Sequence, residues 1–220
     1  MAEILPTQTT VAYHTGPRIW YLGNQPINGV TVFPKTVAAK ILDDDHIELT
    51  IEQPQGETLE NRLKNESDVK KLIPIFEKLG YKMSVMAMYR LEHEYMSVHN
   101  VLIVNEEPII LLPGTGEFPN GLPHEFGDVF NSLNKYWGRH SKDPRQVDET
   151  TTRIIKNRFK RDIVQGSECR EKLLFDGRGL EKGYHQAWND LIGNPKQSGS
   201  PIKIASDEQV YALFKQNFQL

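Results

Sequence analysis

The chain has 220 residues, 38% of them hydrophobic and 25% charged, with a formal net charge of −3. That composition suits a folded domain, and no stretch reaches the roughly 20 apolar residues that a membrane-spanning helix needs. The lone Cys169 excludes an intrachain disulfide and a cysteine-based zinc site. Ile4 and Leu5 do not open an apolar run, so no secretory leader is expected, and the expectation is a cytoplasmic chain with no membrane partner. The charge is unevenly spread. Residues 1–140 carry 12 Lys+Arg against 18 Asp+Glu, and residues 141–220 carry 14 against 11.

Residues 11–53 read as mostly β. Val11–Tyr13, Arg18–Leu22 and Val30–Phe33 are short β-prone runs separated by Gly16-Pro17, Gly23-Asn24 and Asn28-Gly29. Thr36–Leu42 and His46–Gln53 flank Asp43-Asp44-Asp45 and predict a hairpin, with Ile47, Leu49 and Ile51 on one face and His46, Glu48, Thr50 and Glu52 on the other. After Pro54-Gln55-Gly56, Ser67 is the expected N-cap of a helix near 67–79 that carries Val69, Leu72, Ile73, Phe76 and Leu79, with Pro74 as a kink and Gly80 as its end.

A long alternation follows. Met83, Val85, Ala87, Tyr89 and Leu91 share one face of an expected strand over 81–96, and Lys82, Ser84, Met86, Met88, Arg90, Glu92 and Glu94 share the other. Val98–Val104 and Pro108–Leu112 are further expected strands, and Pro113-Gly114-Thr115-Gly116 reads as a turn. From 124 onward the apolar period becomes helical: Phe126 to Trp137, Ile154 to Ile163, Leu180 to Leu191, and a helix after Ser206, which forms a capping-box pattern with Gln209. Strands first and helices after predict an α+β fold, with an antiparallel sheet or open barrel over 1–120 and a helical region over 121–220.

The polar face of the expected 81–96 strand carries the chemistry. Lys82 and Arg90, with Lys40, would hold phosphate oxygens; Glu92 and Glu94, with Glu48 and Glu52, would hold Mg²⁺ or Mn²⁺. A solvated sheet face explains the same charges without a ligand. His93, His99 and His124 lie among Glu92, Glu94 and Glu125, but their spacing matches neither a helical zinc motif nor a cupin pattern. Arg153, Lys156, Arg158, Lys160 and Arg161 cluster in a stretch, 145–182, that holds ten cations and seven acids. They could contact nucleic-acid phosphates, or form the wet face of an amphipathic helix.

The order Leu79-Gly80-Tyr81-Lys82, then Tyr89 to Tyr95, then His99 to Val104, then Leu112 to Phe118 resembles the middle of the CYTH or triphosphate-tunnel family, over about residues 40–118. The resemblance implies an eight-stranded barrel whose lumen binds a triphosphate and a divalent metal. Two acidic motifs of that family are missing here. Met1 to Leu5 supplies only Glu3, and Pro119-Asn120-Gly121 follows Phe118 where an acidic strand is expected. The leading expectation is binding or hydrolysis of a phosphate-rich small molecule with a divalent metal. Its alternatives are a protein-interaction module acting through the helical half and a nucleic-acid-associated protein.

Overall fold

The computed structural model describes residues 6–89, 91, 100–112, 179, 182, 183, 185–192 and 204–220. The fold is α+β, with antiparallel sheets in the N-terminal half and helices in the C-terminal part. One three-stranded sheet has the order β1-β3-β2, formed by β1 (Thr7–Ala12), β2 (Thr36–Ile41) and β3 (His46–Ile51). A second has the order β4-β5-β6, formed by β4 (Glu57–Thr58), β5 (Val101–Val104) and β6 (Glu107–Ile110). The helices are α1 (Gly16–Asn24), α2 (Leu59–Asn65), α3 (Val69–Met88) and α4 (Asp207–Phe218), together with helical residues at 185–191. Among the described residues the two sheets do not join into a closed barrel, so the barrel implied by the family resemblance is not formed there.

The β2–β3 hairpin forms where the alternation places it. The Asp43 carboxylate accepts the Asp45 amide at 2.8 Å, and Ile47, Leu49 and Ile51 are buried on one face. β5 and β6 meet through Asn105 and Glu106, both in the left-handed region at φ 51° and 64°, the backbone of a two-residue hairpin turn. The capping box of α4 also forms: Ser206 Oγ accepts the Gln209 amide, and the Gln209 side chain accepts the Ser206 amide. The helices expected around 126–137 and 154–163 lie outside the described residues.

Several expectations are corrected. Arg18–Leu22 is not a strand but the middle of α1, which buries Gly16, Ile19, Trp20 and Gly23 at helical spacing and carries Pro17 in its first turn. Val30–Phe33 is not a strand either. Val30 only bridges back to Ile27 across Asn28 and Gly29, and the Val32 amide bonds the Leu22 carbonyl. The helix expected at 67–79 begins at Val69, with Asp68 rather than Ser67 accepting the Lys70 amide as its cap, and it does not stop at Gly80. It runs on to Met88, so residues 81–88 are helix and the long two-faced strand does not exist over that span.

The physical reason is a helical stripe that continues through the glycine. Leu72, Ile75, Phe76, Leu79, Met83 and Met86 recur at intervals of three and four and are all buried. Gly80 in a helix interior costs about 1 kcal/mol relative to alanine. Burial of the surrounding side chains outweighs that, at roughly 1.5–3 kcal/mol each.

Among the described residues one hydrophobic cluster joins both sheets to the helices. Ile47 and Leu49 of β3, Val101 and Ile103 of β5, the α3 stripe, Ala187, Leu191, and Val210 and Phe214 of α4 all belong to it. α4 docks on α1. The Trp20 and Phe214 rings meet edge to face at 5.6 Å, and the Arg18 guanidinium grips the Asp207 carboxylate with bonds of 3.2 and 2.9 Å. Phe214→Ala is expected to lower unfolding free energy by roughly 3–5 kcal/mol in urea denaturation. Leu213→Ala on the exposed face of the same helix should stay within about 0.5 kcal/mol of the parent.

Candidate functional site

α3 has a second stripe. Pro74, Glu77, Lys78, Tyr81 and Lys82 recur at helical spacing and form one wall of a half-open cleft of about 280 Å³. Glu107 of β6, the turn residues Asn28 and Val30, and Gln186 and Asp190 of the helical residues at 185–191 complete it.

Each wall has a local cause. Asn28 and Gly29 both have positive φ, 52° and 79°, which closes the tight turn from Ile27 to Val30 and sets the Asn28 amide at the cleft. The Asn28 Nδ2 donates to Tyr81 Oη at 3.1 Å and to Asp190 Oδ2 at 3.4 Å. Gly183 allows the backbone there to lie directly against α3, because a Cβ at that position would sit 1.7 Å from the Glu77 carbonyl oxygen. That close approach brings Asp190 and Gln186 to the cleft edge.

Lys78 and Lys82 lie one helical turn apart and converge on β6. Lys78 Nζ donates to a Glu107 carboxylate oxygen and, at 3.1 Å, to the Glu106 carbonyl. Lys82 Nζ donates to the Pro108 carbonyl at 2.5 Å and stands 4.0 Å from the second Glu107 carboxylate oxygen. The two lysines differ in environment: the Lys78 side chain is 40% exposed and that of Lys82 only 3%. Burial pushes the Lys82 ammonium down to about 8; Glu107 opposes this and Lys78 adds to it. Burial also raises the Tyr81 phenol, with the Asp190 carboxylate adding to the rise and the Asn28 hydrogen bond opposing it.

The expected site residues do not all gather here. Lys82 belongs to the cleft, but as a helical residue rather than a member of a strand face. Lys40 and Glu48 face each other across β2 and β3 in the first sheet, and Glu52 stands 3.9 Å from Lys35. None of the three lines the cleft. Arg90, Glu92, Glu94, His93, His99 and His124 lie outside the described residues, as do Arg153, Lys156, Arg158, Lys160 and Arg161.

Sequence reasoning missed Asn28, Tyr81, Lys78, Glu107 and Asp190. Carrying the helical period past Gly80 would have put Lys78, Tyr81 and Lys82 on one face. Nothing in the sequence places Asp190 beside Asn28. Among the described residues no three His, Cys, Asp or Glu side chains converge as metal ligands, and two of the expected ligands, Glu92 and Glu94, lie outside those residues.

The depressed Lys82 value predicts a pH dependence of stability. The ammonium is disfavoured in the folded state, so this group's contribution grows as pH rises from about 8 toward 10.5 and is absent below that window. Lys82→Met removes it. The wild-type minus variant difference in unfolding free energy should therefore rise by on the order of 3 kcal/mol between pH 7 and 10.5. Urea titrations of both proteins across that range measure it, and the titration of Tyr81 and Tyr89 cancels in the difference. Neither a protein-family model nor a curated protein sequence matches this chain.

Proposed function

We propose that this protein binds a small phosphorylated molecule in the cleft between α3 and β6. The observation that carries the reading is the pair Lys78 and Lys82, two amines one helical turn apart beside the same half-open space. Lysine supplies point charge and rotatable donors to phosphate oxygens, and Tyr81 on the same helix and Asn28 on the facing turn add neutral polar groups. Two lysines stand against three carboxylates, Glu77, Glu107 and Asp190. That balance does not favour a bare polyanion. It favours one that arrives partly neutralised, so on this reading Mg²⁺ or Mn²⁺ enters on the ligand's own phosphate oxygens, with Glu107 as an added oxygen ligand. Hydrolysis of a phosphoanhydride would be a further step, and release of inorganic phosphate is its direct assay.

A second reading, contact with another protein through the helical part, is favoured by Leu213 and Leu220, exposed apolar side chains at the C-terminal end. It predicts a partner complex weakened by Leu213→Asp and unaffected by Lys78→Gln.

The phosphate reading is tested by thermal unfolding with inorganic triphosphate, nucleoside triphosphates and thiamine triphosphate, each with and without Mg²⁺. At a hundredfold excess over Kd the expected rise in Tm is roughly 5–10 °C. The rise should need the metal and fall to nothing in Lys78→Gln. No rise with any of these ligands rejects the reading.

A further inference from the structure

Lys78 and Lys82 share a cleft but are prepared for different chemistry. Lys78 is partly exposed and bonded by a carboxylate and a carbonyl, the setting of an ion-pairing side chain that can meet an anion. Lys82 is buried on the cleft wall; among the described residues its close partner is the carbonyl of Pro108, and a Glu107 carboxylate oxygen lies 4.0 Å away. A carbonyl accepts a hydrogen from a neutral amine as well as from an ammonium. Neutral Lys82 can therefore keep its bond to Pro108 with one N–H and leave its lone pair free. We propose that the phosphorylated ligand of this cleft is an aldehyde, held by its phosphate at Lys78 and bound covalently, as an imine, at Lys82. This rests on the phosphate reading above and adds the reacting group.

The step balances without an oxidant or reductant. The Lys82 Nζ lone pair forms a bond to the aldehyde carbon, giving a carbinolamine. The carbonyl oxygen then leaves as water, carrying two hydrogens that come from the amine, and a C=N bond replaces C=O. Glu107, within one water's reach of Nζ, is placed to take the amine proton during addition and return it to the departing hydroxyl. The neutral imine has no N–H; taking up one proton from solvent gives the iminium, whose new N–H can donate to the Pro108 carbonyl. Desolvation is the usual way a lysine becomes a nucleophile, and burial drives Lys82 in that direction. Lys78 lacks that enclosure and serves as the phosphate anchor. The cleft, about 280 Å³, accepts a ligand of few heavy atoms, which fits a small phosphorylated aldehyde.

The experiment treats the full-length protein, with Mg²⁺ present throughout, with pyridoxal 5′-phosphate as a phosphorylated aldehyde probe, traps any imine with borohydride, and maps adducts by peptide mass spectrometry. One dominant adduct at Lys82 is expected, protected by inorganic triphosphate and at least about tenfold stronger than with pyridoxal, which lacks the phosphate. It should be absent in Lys82→Arg and reduced in Lys78→Gln. Mapping on the unaltered chain keeps the test decisive even if a variant does not fold. Adducts spread evenly over exposed lysines such as Lys40 and Lys70, or none at Lys82, overturn the imine. If inorganic triphosphate still raises Tm in that case, the phosphate reading stands without it. Equal labelling by pyridoxal overturns the assignment of a phosphorylated ligand, and no Tm rise together with no Lys82 adduct removes both.

Discussion

The burial of Lys82 is the constraint to which the rest of the described structure answers. α3 is a twenty-residue helix whose core stripe and flanking residues are covered almost all round, and a lysine sits in its most enclosed part. An amine taken from water without partners is expensive, several kcal/mol before any compensation. Its compensation comes from β6, through the Pro108 carbonyl and the carboxylate of Glu107. One turn earlier Lys78 bonds the Glu106 carbonyl and Glu107. These bonds set how far along α3 the β5–β6 hairpin can lie. Pro108 fits the role, because β6 is the edge of its sheet, where a residue with no amide hydrogen breaks no ladder bond.

The cleft follows from the same placement. A helix pressed on one side by β6 and on another by the backbone around Gly183 leaves a trough between them, and the Asn28–Gly29 turn closes its end. The residues lining that trough are therefore drawn from segments far apart in the chain: Asn28, Lys78, Glu107 and Asp190. The first sheet stands apart from this chemistry. Its wet face carries Lys40 opposite Glu48 and Glu52 near Lys35, pairs of the kind that exposed strands hold in solvent at little energetic consequence. Charges that look alike in a list of residues thus differ in what they can do: a lysine in water is a solvated cation, whereas a lysine walled by apolar side chains can lose its proton near neutral pH.

Local rules settled those parts of the fold whose stability is local. The β2–β3 hairpin, its inward Ile47, Leu49 and Ile51 and the Ser206–Gln209 capping box were legible because turn chemistry, period-two alternation and caps act within a few residues. The α+β class was legible from the change of period along the chain. The segments 18–22 and 81–88 were not. Both contain apolar residues that satisfy strand and helix spacing at once, and short apolar runs do not separate the two by periodicity. At 81–88 Gly80 suggested a stop, but the packing of Met83 and Met86 with the stripe from Leu72 carries the helix past it. That packing is a property of the neighbours, which the local sequence does not contain.

The candidate site lay further still from the sequence. By itself the chain determined that it has a core, two hairpins, amphipathic helices and a set of charged residues in plausible places. Tertiary structure decided which of those charges meet. Lys82 became a buried amine only because α3 continued through Gly80 and β6 closed over it. Asn28 met Tyr81 across the turn and α3, and Asp190 joined them from a segment held close to α3 at Gly183. Burial and proximity between distant segments set a side chain's charge state and reactivity, and neither is written in the spacing of residues along the chain.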